Sequence, residues 1–262
     1  MDEGLNLLRL PSKALSRSQP ISLDTGERST SAATGGSPKP ANDAKLGGFC
    51  GAITGILFIA AFVAAVQLPF APSQAETTLA NFNALRVSFL IGNILIGLAA
   101  VFAIPFYVSL RNALRSSEFV VAAAAATFAV VGIVILATLF IAQTIALQVL
   151  ADAYASGGVK ATITVVVAQT VIGVGGVFLF GFLLLSVGIG LYGYLAIKSR
   201  VFPSWLGYLG IVTAVLSVVS FSPLGTTGVG FEVFLVSFAL LLIWIFASSV
   251  LLWRSPAPPS LK

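Results

Sequence analysis

The sequence predicts an all-α polytopic membrane protein, a six transmembrane helix bundle with both termini cytoplasmic. Three observations predict it. Six apolar stretches of roughly 18 residues or more, parted by short polar breaks, fill nearly everything from Gly47 to Trp253. The chain is 58% hydrophobic and 9% charged, against roughly 25% charged in an ordinary soluble domain. A soluble fold could not hide that much apolar surface. Finally, the lysines and arginines fall almost entirely on one side of the six stretches.

Residues 1–45 differ in kind from the rest. They hold seven serines, four prolines and five acids, with Leu5, Leu7, Leu8 and Leu10 as the one local apolar cluster. Such a stretch buries too little surface to offset its ordering entropy, so it reads as a disordered cytoplasmic tail. A cleaved signal peptide would place its apolar core near the start. Here the first apolar run comes late and at full length, so it is expected to stay. Five acids argue against an organellar transit peptide.

The transmembrane domain is expected over 46–254, followed by a short cytoplasmic tail at 255–262. Its first span runs from about Gly48 to Phe70 and the second from about Val87 to Leu110, with Pro105 near its far end. The third, about Phe119 to Leu150, opens with the small run Ala122 to Ala126. The fourth covers about Thr162 to Ile197, is glycine-rich, and is too long for an untilted crossing. The fifth, about Ser204 to Phe221, follows Pro203, and the sixth runs from about Phe231 to Trp253. Lipid cannot satisfy open backbone groups, which requires helices, and the runs lack the ten-residue alternation of a β-barrel.

Orientation follows from the basic residues. Six in the tail join Arg111, Arg115, Lys198, Arg200, Arg254 and Lys262 on one side, twelve in all, against Arg86 and Lys160 on the other. That bias places both termini in the cytoplasm. Tyr107, Tyr192, Tyr194, Trp205, Tyr208 and Trp253 then fall at the cytoplasmic interface, where aromatic anchors belong.

Gly47, Gly51 and Gly55 repeat at four residues, one helix face, where a second backbone can approach closely. Ser186 and Gly190 repeat the spacing, as do Gly210 and Ala214. These are expected to be packing faces inside one bundle, with self-association as the other reading. Gly173, Gly175, Gly176 and Gly181 give the fourth helix freedom to bend or unwind.

Polar groups in lipid are costly and turn toward the bundle interior. Asn93, Gln143, Gln148, Gln169 and Glu232, with Thr144 and Thr170, concentrate in the outer half of the membrane. They read either as interhelical glue or as a small polar pocket open to the outside, with Asn93 and Gln143 expected to meet. On the inner side Tyr107, Arg111 and Arg115 follow at spacing four, where basic residues fix topology and could meet a lipid headgroup or an acidic partner.

Catalytic sets are absent from the sequence. It contains no histidine, which excludes His-dependent triads, His-ligated haem and His-containing zinc sites. Its one cysteine, Cys50, allows no intrachain disulfide. Serines such as Ser186, Ser217 and Ser220 lie in helices without a base to activate them, and no phosphate-cradling loop follows a strand. No acid lies near the bilayer centre, where a proton- or sodium-coupled carrier needs one.

The break after the fourth span, LYGYLAIKSRVFPSWLGYLGIVTAVLSVV, resembles the matching turn of a prokaryotic membrane family, domain-of-unknown-function 4386. Gly193, Tyr194, Leu195, Ser199, Pro203, Leu206 and Gly207 carry the likeness, with FYVSLRNALR and ADAYA elsewhere. It spans about Leu46 to Arg254 and departs at Arg200, where the family commonly has glycine. The resemblance implies six helices and no known activity.

The expectation is therefore a multi-pass protein of the cell (plasma or inner) membrane that is no enzyme and takes no metal or cofactor. It would act as a membrane or partner-interaction component, its partners being the lipid bilayer and either a second copy or another membrane protein, not nucleic acid. The alternative is a small-solute transporter or channel using the outer polar cluster.

Overall fold

The computed structural model describes residues 40–65, 74–116, 118–157, 159–175, 178–220 and 228–254. The chain divides into Met1–Ser37 and Pro38–Lys262, and every described residue lies in the second. Among the described residues the secondary structure is helical throughout, in the order α1 (Pro40–Ala65), α2 (Ala75–Phe82), α3 (Arg86–Leu114), α4 (Phe119–Ala155), α5 (Val159–Gly175), α6 (Phe178–Ser199), α7 (Ser204–Ser220) and α8 (Gly228–Arg254).

Five helical segments are long and apolar enough to cross a membrane: 43–64, 75–114, 119–155, 180–199 and 232–254. They point to a multi-pass membrane protein. Two shorter apolar helices, Ala161–Ile172 and Ser204–Ser220, accompany them. Five rather than six described segments therefore meet the length for a crossing. The fourth predicted span holds α5 and α6 on either side of residues 176–177, which lie outside the described residues, and the fifth, α7, matches its predicted bounds but has only 17 residues, the lower edge of what spans a bilayer.

The boundaries move for local reasons. Helix α1 begins at Pro40, inside the predicted tail, because proline is tolerated in a first helical turn and Asp43 there faces the positive end of the helix dipole. The rest of that tail, residues 66–70 of the predicted first span and the C-terminal tail lie outside the described residues. Helix α2 is a short amphipathic piece read from sequence as a break. Ala75, Thr78, Leu79 and Phe82 face inward at helical spacing, leaving Glu76 on the first turn.

Six helices pack as a closed ring: α1 on α3, α3 on α4, α4 on α6, α6 on α7, α7 on α8, and α8 back on α1. Neighbours run antiparallel, as the contacts of Gly47 with Ser109 and of Gly92 with Ala64 show for α1 and α3. Aromatic side chains fill the space they enclose. Tyr107 stacks on Tyr192 at 6.1 Å, Tyr192 on Trp244 at 6.3 Å, and Phe106 meets Trp244 edge-on at 6.4 Å. Farther along, Phe182, Phe234 and Phe238 form a second aromatic file. Two polar tips of the first group are bonded across helices, Tyr192 Oη donating to the Tyr107 carbonyl at 2.7 Å and Trp244 Nε1 to the Leu206 carbonyl at 3.2 Å, while the buried Tyr107 hydroxyl has no partner among the described residues. A separate apolar cluster joins α2 and the start of α3 to α4 and α5 through Leu79, Phe82, Phe89, Leu147, Ala168 and Ile172.

Where the helices touch, side chains give way to backbone. A Cβ on Gly181 would lie 2.5 Å from the Leu136 nitrogen, and one on Gly188 2.6 Å from that of Ala129. The α6–α7 corner is equally close, where a Cβ on Gly193 would lie 2.5 Å from the Gly207 carbonyl oxygen. Such approaches replace the missing hydrophobic drive between helices in lipid with van der Waals contact.

Helix α6 ends on Arg200, whose φ of 55° lies in the left-handed region. This is the helix C′ position, which favours glycine because a Cβ crowds the backbone there. Arg200→Gly is therefore expected to stabilise the protein by about 0.5–1 kcal/mol, read as a higher midpoint in detergent denaturation, and an unchanged or lower midpoint would contradict it.

Candidate functional site

Helix α3 opens on Arg86 while the antiparallel α4 nears its close, so the first turns of one face the last turns of the other. Arg86 and Asn93, seven residues apart, share a face of α3, and Thr144, Gln148 and Asp152, at spacing four, share a face of α4. The two rows meet in a polar seam. Arg86 Nη1 lies 3.5 Å from Asp152 Oδ1. With its amide turned so that the oxygen faces the guanidinium, Gln148 accepts from Arg86 Nε at 2.8 Å and also from Nη2. Deeper along the helices, the Thr144 hydroxyl lies 2.8 Å from Asn93 Oδ1, while the Phe140 and Ile141 carbonyls are also within its reach at 3.1 and 2.9 Å. Above the seam, Tyr154 Oη donates to Glu76 Oε1 of α2 at 3.1 Å.

The energetics separate these contacts. The Arg86 and Asp152 side chains are about half exposed, at 49% and 53%, so their pair contributes roughly 0–1 kcal/mol. Thr144 is 2% exposed, and an interhelical hydrogen bond there is worth about 0.6–2 kcal/mol in a membrane. Chemically the seam is a row of polar groups that meet across the interface and hold α3 to α4.

The structure divides the predicted polar cluster. Asn93 and Gln148 belong to the seam, but the partner of Asn93 is Thr144 rather than Gln143. Gln143, 9% exposed, occupies the adjoining face of α4, whose Leu147 and Ala151 pack toward α2 and α5. Gln169 is exposed on α5 and Glu232 is exposed on α8. Arg86 and Asp152 join the seam from helix ends, outside the polar cluster expected from sequence. Their spacing to Asn93 and to Gln148 was the available signal.

The predicted glycine faces pack within the bundle. A side chain at Gly47 would run into Ser109 of α3, at Gly51 into Phe106 and Ser249, and at Gly55 into the Phe246 ring of α8 at 2.7 Å. A Cβ on Gly190 would lie 2.8 Å from the Ala214 methyl of α7. Ser186 is fully buried and its hydroxyl has no hydrogen-bond partner among the described residues. A further buried polar contact, missed in sequence, joins α7 to α8, where Ser217 and Ser237 hydroxyls lie 2.6 Å apart.

The opposite end of the ring is basic and aromatic. Lys198 pairs with Glu118, and the Arg111 guanidinium sits 5.4 Å from the Phe119 ring centroid. Arg254 lies beside Trp205, and Lys45 beside Trp253. Among the described residues no group of three or more His, Cys, Asp or Glu is placed to hold a metal ion.

The model of a family described as a domain of unknown function, DUF4386, matches residues 48–254. No curated protein and no solved structure matches the chain.

Proposed function

The chain belongs to the DUF4386 family, and from that premise we propose that it is a non-catalytic component of a cell membrane that crosses the bilayer six times, keeps both termini in the cytoplasm and works by contact with lipid or with another membrane protein. The observation that carries this reading is the closed antiparallel ring with Phe106, Tyr107, Tyr192 and Trp244 filling its middle. A ring plugged by stacked aromatic side chains suits a rigid scaffold better than a conduit. The six crossings are α1, α3, α4, α6, α7 and α8, with α5 packed on α4 beside them. The clustering of Lys45, Arg111, Lys198 and Arg254 at one end supports the cytoplasmic placement of that end.

Solute flux separates this reading from a transporter or channel. Purified protein in phospholipid vesicles should pass glycerol, urea and potassium no faster than protein-free vesicles do. Thr144→Val should leave those rates unchanged while lowering stability by about 1 kcal/mol. Protein-dependent flux that Thr144→Val or Gln143→Leu abolishes, in variants that remain folded, would overturn the scaffold reading and make the seam a solute site.

A further inference from the structure

At the basic end, one face of α8 is left as an open groove. Ile243, Ala247, Val250, Leu251 and Arg254 follow one another at helical spacing, and Trp205 of the first turn of α7 forms the opposite wall. We propose that this groove binds one acidic phospholipid, its acyl chain lying along Ile243 to Leu251 and its phosphate meeting Arg254.

Three observations carry the assignment. The groove is apolar along its length and cationic at its end, the order in which a lipid presents chain and headgroup. Arg254 is exposed and forms no ion pair among the described residues, so its charge is open to a phosphate; guanidinium matches phosphate by paired hydrogen bonds. From Ile243 to Arg254 the helix rises about 16 Å, half of the roughly 30 Å hydrocarbon core. One leaflet's chain fills that length, whereas a partner helix would continue past it. The same composition recurs across Trp253, where Lys45, Leu46 and Phe49 line a second, smaller groove. An amphipathic indole beside a cation at the chain's polar end is the usual interfacial arrangement.

The proposal rests on the membrane reading, and its test fails differently from that reading. The chain has three tryptophans, and Trp244 is buried at 2% exposure. Trp253→Phe therefore leaves Trp205 as the exposed fluorophore in the groove. The variant is reconstituted in vesicles of phosphatidylcholine containing either brominated phosphatidylglycerol or brominated phosphatidylcholine, and quenching gives the relative affinity of the two. Acidic lipid should be preferred about fivefold, the attraction of one basic side chain for an anionic lipid. Adding Arg254→Gln should abolish the preference, and Arg254→Lys should retain most of it. Millimolar inorganic phosphate should not compete.

Equal quenching by both lipids, or a preference untouched by Arg254→Gln, would overturn the proposal. Displacement by inorganic phosphate would overturn it too, because the site would then read a free anion. Quenching by neither lipid would instead count against membrane insertion itself.

Discussion

Gly132→Leu should cost on the order of 3 kcal/mol or more and separate α4 from α6. A Cβ at Gly132 already overlaps the Leu185 backbone nitrogen and comes within 2.7 Å of the Gly181 carbonyl and 2.8 Å of Leu185 Cα. All three neighbours are main chain, which cannot turn aside as a side-chain tip can. Overpacking a core typically costs about 1–3 kcal/mol, and this contact lies at the upper end because relief requires moving a whole helix. Gly97→Ala is the control, since the nearest atom to its Cβ, on Ile141, is 3.9 Å away. It should be neutral or stabilising by up to about 1 kcal/mol, the difference in helix propensity between alanine and glycine. Detergent unfolding monitored by circular dichroism reads both. A Gly132→Leu protein as stable as the parent would show that α4 and α6 do not touch backbone to backbone.

Trp244→Ala should cost about 3–5 kcal/mol, the usual range for emptying a buried aromatic site. The indole is 2% exposed, donates to the Leu206 carbonyl at 3.2 Å and lies against Phe106 and Tyr192. It thus ties α8 to α7 while filling the ring between α3 and α6. Trp244→Phe keeps a ring there and loses only the hydrogen bond and part of the volume, so it should cost less than half as much. If both variants unfold with the parent's midpoint, the aromatic plug contributes nothing and the packing account fails at its centre.

These two residues show what a sequence of this kind conceals. In lipid, both the protein-facing and the lipid-facing sides of a helix are apolar, so hydropathy finds helices without telling their faces apart. Gly47, Gly51 and Gly55 were legible as a close-packing face because glycine spacing speaks about backbone approach. Their partners, Ser109, Phe106, Ser249 and Phe246, were not, because only the fold chooses neighbours. Gly132 and Gly188 have no four-residue glycine partner in their own helices, and their match is across the pair. Trp244 gave no sign of being a hub rather than an anchor.

The polar seam was half legible for a related reason. Asn93 and Gln148 stood out as amides inside apolar runs. Arg86 and Asp152 stood at helix ends, where charge is ordinary, and only the antiparallel register of α3 and α4 brings them together. Depth fixes height along the bundle, not direction around a helix, so Asn93 and Gln143 at similar depth could not be assigned as partners from sequence. Thr144, one residue on, points to Asn93 instead. Helix α2 was not legible because hydropathy averages across a short amphipathic turn.

The central claim, six crossings with alternating ends, is tested most directly by cysteine labelling from outside intact cells. The single native thiol, Cys50, is buried and is replaced by alanine. One new cysteine at a time is then placed at Ser116, Ser156, Arg200 or Thr226, and a membrane-impermeant maleimide is applied. The account predicts labelling at Ser156→Cys and Thr226→Cys in intact cells, and at Ser116→Cys and Arg200→Cys only after the membrane is opened. Labelling of Arg200→Cys and Thr226→Cys from the same side would mean that the 17-residue α7 does not cross, and the six-crossing ring would be contradicted.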